Sequence, residues 1–298
     1  MDIKQYLNDK RTFIEQQMYN YMLEAEGPFA KHIDSMRYSL FTGGKRIRPI
    51  LCLTAAEVVG GHNFDVNKIV PVACALECIH TYSLIHDDLP SMDNDELRRG
   101  KPTNHMLYGE AQAILAGDGL LTWAFDLISD RERGNLTAEQ RLDICHTIAR
   151  AAGSLGMVGG QSLDILSENQ DIEFDTLATI HKSKTGALIT CSVLAGGIAG
   201  NSSKEQLRAL KQYGDAIGLA FQIVDDLLNV TATTEELGKT AGSDAEKGKA
   251  TYPAFYGIEE TRKKAIAAVE NAIESLNIFD EKADPLRELA RYIYTRSN

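Results

Sequence analysis

Apolar residues recur every three or four positions along most of the chain, and runs of strict alternation or of β-branched residues are few. That spacing lines one face of a helix, so the pattern predicts an all-α protein, helical nearly throughout. Seven prolines punctuate 298 residues; Pro49, Pro90, Pro102 and Pro253 each stand beside a charged motif. Gly-Asn pairs at 134–135 and 200–201 read as turns between helices. No Ser/Gly-rich linker and no short-period repeat interrupts the pattern, so residues 1–298 are read as one domain. The longest small-apolar run, Gly186 to Gly200, is too short and too rich in glycine to span a bilayer.

Two acidic segments break the apolar rhythm: HDDLPSMDNDELRRGKPT at 86–103 and FQIVDDLLN at 221–229. On a helix, Gln222, Asp225, Asp226 and Asn229 share a stripe, with Phe221, Ile223, Val224, Leu227 and Leu228 free to pack behind it. A charged stripe ordinarily faces water. Adjacent carboxylates with no intrahelical Lys or Arg partner argue instead for a face turned to a counter-charge. In the first segment, Asp87 and Asp93 lie six positions apart and would diverge on a continuous helix. Pro90 disfavours helix at Leu89, which predicts a helix ending near Asp88 and a chain that folds Asp93 back toward Asp87. Oxygen-only ligands of this kind suit Mg²⁺ rather than Zn²⁺. His86, next to the pair, reads as a hydrogen-bonding neighbour rather than a ligand.

Charge narrows the ligand class. A net charge of −11 argues against a nucleic-acid partner, yet an anionic small molecule fits if metals neutralise it. Cations gather where a phosphate would need them: Lys45, Arg46 and Arg48 after Gly43-Gly44, Arg98 and Arg99 after the first acidic segment, then Lys184-Thr185, Lys239-Thr240, Lys247 and Lys249. GGKR and LGKT lack the glycine spacing and preceding strand of a nucleotide P-loop. Five scattered cysteines without CxxC pairs, and an N-terminus without a secretory pattern, predict a reduced, cytoplasmic setting.

HDDLPSMDNDELRRGKPT resembles the first aspartate-rich motif of the trans-prenyltransferases, or isoprenyl diphosphate synthases, in the spacing of their bacterial, farnesyl-forming members. GGKRIRP (43–49), GDGLL (117–121), GGQSLD (159–164), HKSKTGAL (181–188), FQIVDDLLN and GKATYPA (248–254) match further blocks in the family's order, across nearly the whole chain. The resemblance implies an isoprenoid-synthase fold of about ten core helices around a deep central cavity, assembled as a homodimer. It implies that Asp87, Asp93 and Asp225 ligate Mg²⁺, roughly three ions per site once substrate is bound, with Asp88 beside them. Arg98, Lys184, Thr185, Gln222 and Lys239 would contact the allylic diphosphate, assisted by Lys249. Lys45, Arg48, His80 and Arg99 would grip isopentenyl diphosphate without metal. Asp87, Asp88, Asp93, Arg98, Lys184 and Asp225 are thus the catalytic set.

In this family the residue five positions before the first aspartate lies under the growing chain, here Tyr82, followed by the small Ser83. A ring there implies (2E,6E)-farnesyl diphosphate, made by additions to dimethylallyl and geranyl diphosphates; the alternative is that Tyr82 only packs between helices. One position departs from the pattern, since the family's DDxxD ends here in Asn229. Asn keeps an acceptor oxygen but loses the charge, which leaves Asp225 as the expected ligand. A His-Asp phosphohydrolase built on His86-Asp87 would need further histidines such as His62 and His80, and leaves Asp93, Arg98 and Arg99 without a role. A non-catalytic partner subunit is the other alternative, and the intact first aspartates speak against it.

Overall fold

The computed structural model describes residues 1–61, 63–231 and 250–295. Thirteen α-helices carry these residues: α1 Ile3–Tyr21, α2 Ala30–Leu40, α3 Ile47–Gly60, α4 Val70–Asp87, α5 Asn104–Tyr108, α6 Glu110–Ser129 and α7 Ala138–Ala152. They continue with α8 Met157–Ser167, α9 Phe174–Ile180, α10 Ala187–Ala199, α11 Lys204–Thr231, α12 Tyr252–Ser275 and α13 Asp284–Thr295. The predicted all-α class holds, and the expected turns fall at Gly134 (φ 70°) and Asn201 (φ 63°). Local chemistry sets the boundaries. Thr137 and Gln140 cap the start of α7 reciprocally, and Pro71 sits in the first turn of α4.

The buried residues form two clusters. One gathers Leu76, Ile79, Leu120, Ile128, Ile144 and Ile148 from α4, α6 and α7. The other joins Tyr213, Ile217, Val224, Ala265 and Leu289 from α11, α12 and α13. Helix α10 belongs to both, offering Leu188, Cys191 and Ala195 to the first and Ile189 and Val193 to the second. Apolar residues on every side of α10 follow from that position between two cores. The 186–200 run is therefore a core helix, and no helix among the described residues is long and apolar enough to cross a membrane.

Two departures from regular α-helix matter for the site. Leu97–Arg98 and Lys101–Pro102 pair as a two-stranded antiparallel hairpin, β1 and β2. Arg99 (φ 54°) and Gly100 (φ 74°) form its turn, the double positive φ that a tight hairpin's twist requires. Helical periodicity gave no hint of it. Between α9 and α10, His181–Gly186 winds as a π-helix, a rare form that tends to occur at functional sites.

Candidate active site

Helix α4 ends at Asp87, and the chain then doubles back through a tight turn. Leu89 N–H bonds to His86 O, Met92 and Asn94 N–H bond to Leu89 O, and Asp93 N–H donates to Asp87 O at 2.9 Å. The bend predicted from Pro90 is therefore present, and it brings the backbones of Asp87 and Asp93 into direct contact. The carboxyl of Asp87 is pushed up to about 6, first by burial; Lys184 and Arg98 oppose the shift, while Asp93 and Asp88 add to it. Asp88 is buried and faces a different partner. Arg98 Nε donates to both its oxygens at 2.9 Å, and Arg98 Nη2 to Oδ1 at 2.5 Å. The hairpin that carries Arg98 is thus tied to the end of α4.

Lys184 approaches Asp87 from the π-helix and pairs with Asp164 Oδ2 at 2.6 Å. Gly160 makes this possible. A Cβ there would stand 2.3 Å from Lys184 N, so only glycine lets α8 pack flush on the π-turn and deliver Asp164. On α11, Gln222 and Asp225 are half-buried, whereas Asp226 and Asn229 are buried at 7 % and 2 % exposure. The stripe is thus divided rather than solvent-facing. Asp226 accepts the Tyr252 backbone N–H at 2.8 Å and lies 3.9 Å from His181 Nε2, anchoring the start of α12. His181 stacks on Tyr252 and is pushed down to about 4 by burial first, against the pull of Asp164 and Asp225 and with the push of Lys184. The Lys184–Asp164 pair and neutral His181 therefore connect the two acidic segments.

A second group of cations lies behind the first. Arg99 Nη1 donates to Gly43 O and its guanidinium fills the space beside Gly44, seating the hairpin turn against the Gly43-Gly44-Lys45 turn. His80, on α4, is held well below its usual range, by burial first and then by Arg48, Arg99, Arg98 and Arg46. The structure thus brings together Arg48, His80 and Arg99, with Lys45 exposed at the rim. Below Asp87 on α4, Tyr82 is buried with its ring edge-on to His86, centroids 5.6 Å apart. His86 turns outward. Its Nε2 sits 3.0 Å from Ile114 O, in a recess where a Cβ on Gly117 would stand 2.2 Å away. Ser83 bonds back to His80 O.

The family model described as polyprenyl synthetase matches residues 30–289. The chain belongs to the polyprenyl synthetase family. It is 46% identical over 294 residues to a geranylgeranyl diphosphate synthase from Cyanophora paradoxa, covering 98% of this chain and 96% of that one. It is 43% identical over 298 residues to a farnesyl diphosphate synthase from Geobacillus stearothermophilus, covering 100% and 99%. Among solved structures, an FPP/GFPP synthase from Zymomonas mobilis superposes with TM-score 0.87 at 37% identity, covering 98% and 99%. Like other polyprenyl synthetases, the protein is a prenyltransferase that condenses isoprenoid diphosphates with Mg²⁺. The expected family is thus found, with farnesyl-forming and geranylgeranyl-forming members both among the matches.

In this polyprenyl synthetase, Asp87 and Asp93 form an oxygen-only donor pair in which the Asp93 carboxylate raises the cost of ionising Asp87, which suits Mg²⁺. Among the described residues no three His, Cys, Asp or Glu side chains build a closed metal cage. Mg²⁺ keeps water and takes phosphate oxygens, so one or two carboxylates suffice. The orientation of His86 toward α6 removes the ligand that the phosphohydrolase reading needed. Lys239, Lys249 and His62 lie outside the described residues. Sequence reasoning quoted GGQSLD without assigning Asp164 a part, and missed His181. Both stand in recognised motif blocks, which was the available signal.

Proposed function

We propose that this polyprenyl synthetase makes (2E,6E)-farnesyl diphosphate, adding isopentenyl diphosphate first to dimethylallyl and then to geranyl diphosphate. The observation that carries the chemistry is the fold-back of Asp93 onto Asp87 with Lys184 close to it. Asp87, Asp93 and Asp225 would hold Mg²⁺, which supplies charge stabilisation for the departing pyrophosphate. Lys184, Thr185, Arg98 and Gln222 orient the allylic diphosphate, with Lys239 and Lys249 completing that set. Asp88 keeps Arg98 in place.

Lys45, Arg48, His80 and Arg99 hold the diphosphate of isopentenyl diphosphate through fixed cations, with His80 neutral and serving as a hydrogen-bond partner. Ionisation of the allylic C–O bond leaves a carbocation. The isopentenyl double bond attacks it, and the new cation loses a proton to an oxygen of the released pyrophosphate. Donors fixed in advance around the leaving group stabilise charge as it develops, and a dry cavity protects the cation from water.

Product length rests on Tyr82, whose buried ring is steadied by His86. A geranylgeranyl product is the second reading, favoured by the geranylgeranyl synthase relatives. Incubation with isopentenyl and dimethylallyl diphosphates plus Mg²⁺, followed by chromatography, should give farnesyl diphosphate, and Tyr82→Ala should lengthen it. Hydrolysis without condensation, or no turnover, would contradict the reaction. A native geranylgeranyl product, or unchanged length in Tyr82→Ala, would contradict the Tyr82 assignment.

A further inference from the structure

Glu77 has no part in the reaction described above, yet it is a carboxylate buried at 2 % exposure on α4, one turn before His80. Arg46 Nη1 donates to it at 2.7 Å, and Arg46 Nη2 donates to Leu40 O at 2.8 Å. The Arg46 side chain is itself 1% exposed, so the ion pair is dry on both sides. Arg46 also holds a left-handed backbone (φ 52°, ψ 33°) immediately before α3, flanked by Lys45 and followed two residues later by Arg48. A non-glycine residue keeps that conformation only when its surroundings impose it, and the two side-chain bonds of Arg46 do so.

The charge of Glu77 reaches further. It is the leading attraction acting on both Arg48 and Arg99, opposing the effect of their burial. Glu77 thus pairs directly with Arg46 and attracts Arg48 and Arg99 as well, while all three arginines act on His80 with positive charge. We infer that Glu77 is the positioning residue of the isopentenyl diphosphate site, pinning the Lys45–Arg48 turn through Arg46 and holding Arg48 and Arg99 together against their mutual repulsion. This rests on the reading that Lys45, Arg48, His80 and Arg99 bind that diphosphate.

The test is steady-state kinetics of the full chain with each substrate varied separately. Glu77→Gln should raise KM for isopentenyl diphosphate about tenfold, the scale on which loss of a supporting partner weakens a ligand site. KM for dimethylallyl diphosphate should stay near native. Because Glu77→Gln leaves buried Arg46 with only the partly exposed Glu15, 3.4 Å from its Nε, as a charge partner, it can also fail to fold. The double variant Arg46→Met/Glu77→Leu removes both charges together and keeps the volume. It should fold with a near-native Tm and still show the raised KM for isopentenyl diphosphate. A double variant with native KM would mean that Glu77 only neutralises Arg46, which overturns the proposal. An equal rise in both KM values, or none in Glu77→Gln, would overturn it too. Arg48→Ala separates the two levels: if it leaves KM for isopentenyl diphosphate unchanged, the site assignment itself is wrong.

Discussion

Asp87, the Mg²⁺ ligand proposed above, shows how a carboxylate placed for a metal can work against stability. Its carboxyl sits at about 6 in the fold, against 3.8 for the ordinary group, chiefly through burial. A raised carboxyl means the folded chain binds the proton more tightly than the unfolded one. Stability is then fully present below about 4 and declines as pH rises through about 6. In metal-free protein, Asp87→Asn should remove that slope in Tm between pH 4 and 6. It should also raise stability at pH 7 by on the order of 1–3 kcal/mol, while abolishing condensation. A variant no more stable than native, with its slope intact, would show that Asp87 is not under strain. The same ionisation should limit Mg²⁺-dependent activity on the acid side, since a protonated Asp87 cannot serve as a ligand. Much at this scale was legible in the sequence: the aspartates and cations announced themselves by type and spacing. Asp226 and Asn229 did not, because periodicity places a residue on a face without saying whether water or another side chain covers it.

Among the elements, the acidic turn after α4 could be foreseen and the π-helix could not. A proline imposes its constraint locally, so Pro90 marks the bend in the one-dimensional string. HKSKTG carries no such mark, and its winding depends on α8 lying against it through Gly160, a tertiary fact. Gly160→Ala should therefore push α8 off the turn and disturb the Lys184–Asp164 pair. The expected outcome is a loss of roughly 1–3 kcal/mol by denaturant titration, typical of overpacking, and a kcat that falls more than either KM. Native stability and native kcat together would argue that the contact is slack. The hairpin at 97–102 escaped notice for a related reason: two-residue strands are too short for alternation to register, and arginine is an unfavourable first residue for such a turn.

Over the whole molecule, α10 is the shared wall of two cores, and helices beyond it leave apolar residues uncovered. Met106 and Leu107 on α5, and Ile114 and Leu115 on α6, are 44–53% exposed. These are contiguous elements, and an apolar patch of this kind on a soluble surface marks an interface. We expect a homodimer through this face. Light scattering should report about twice 32.8 kDa, and Ile114→Glu/Leu115→Glu should halve it; a native monomer would rule the dimer out.

The two arginines that hold left-handed backbone, Arg46 and Arg99, occupy positions where glycine or asparagine would sit more comfortably. Thermal selection and catalytic selection therefore pull in opposite directions at this corner. A library screened only for heat resistance would drift toward Gly or Asn at Arg99, whereas the buried pair with Glu77 holds Arg46 in place. It would return proteins that survive longer and have lost their hold on one substrate.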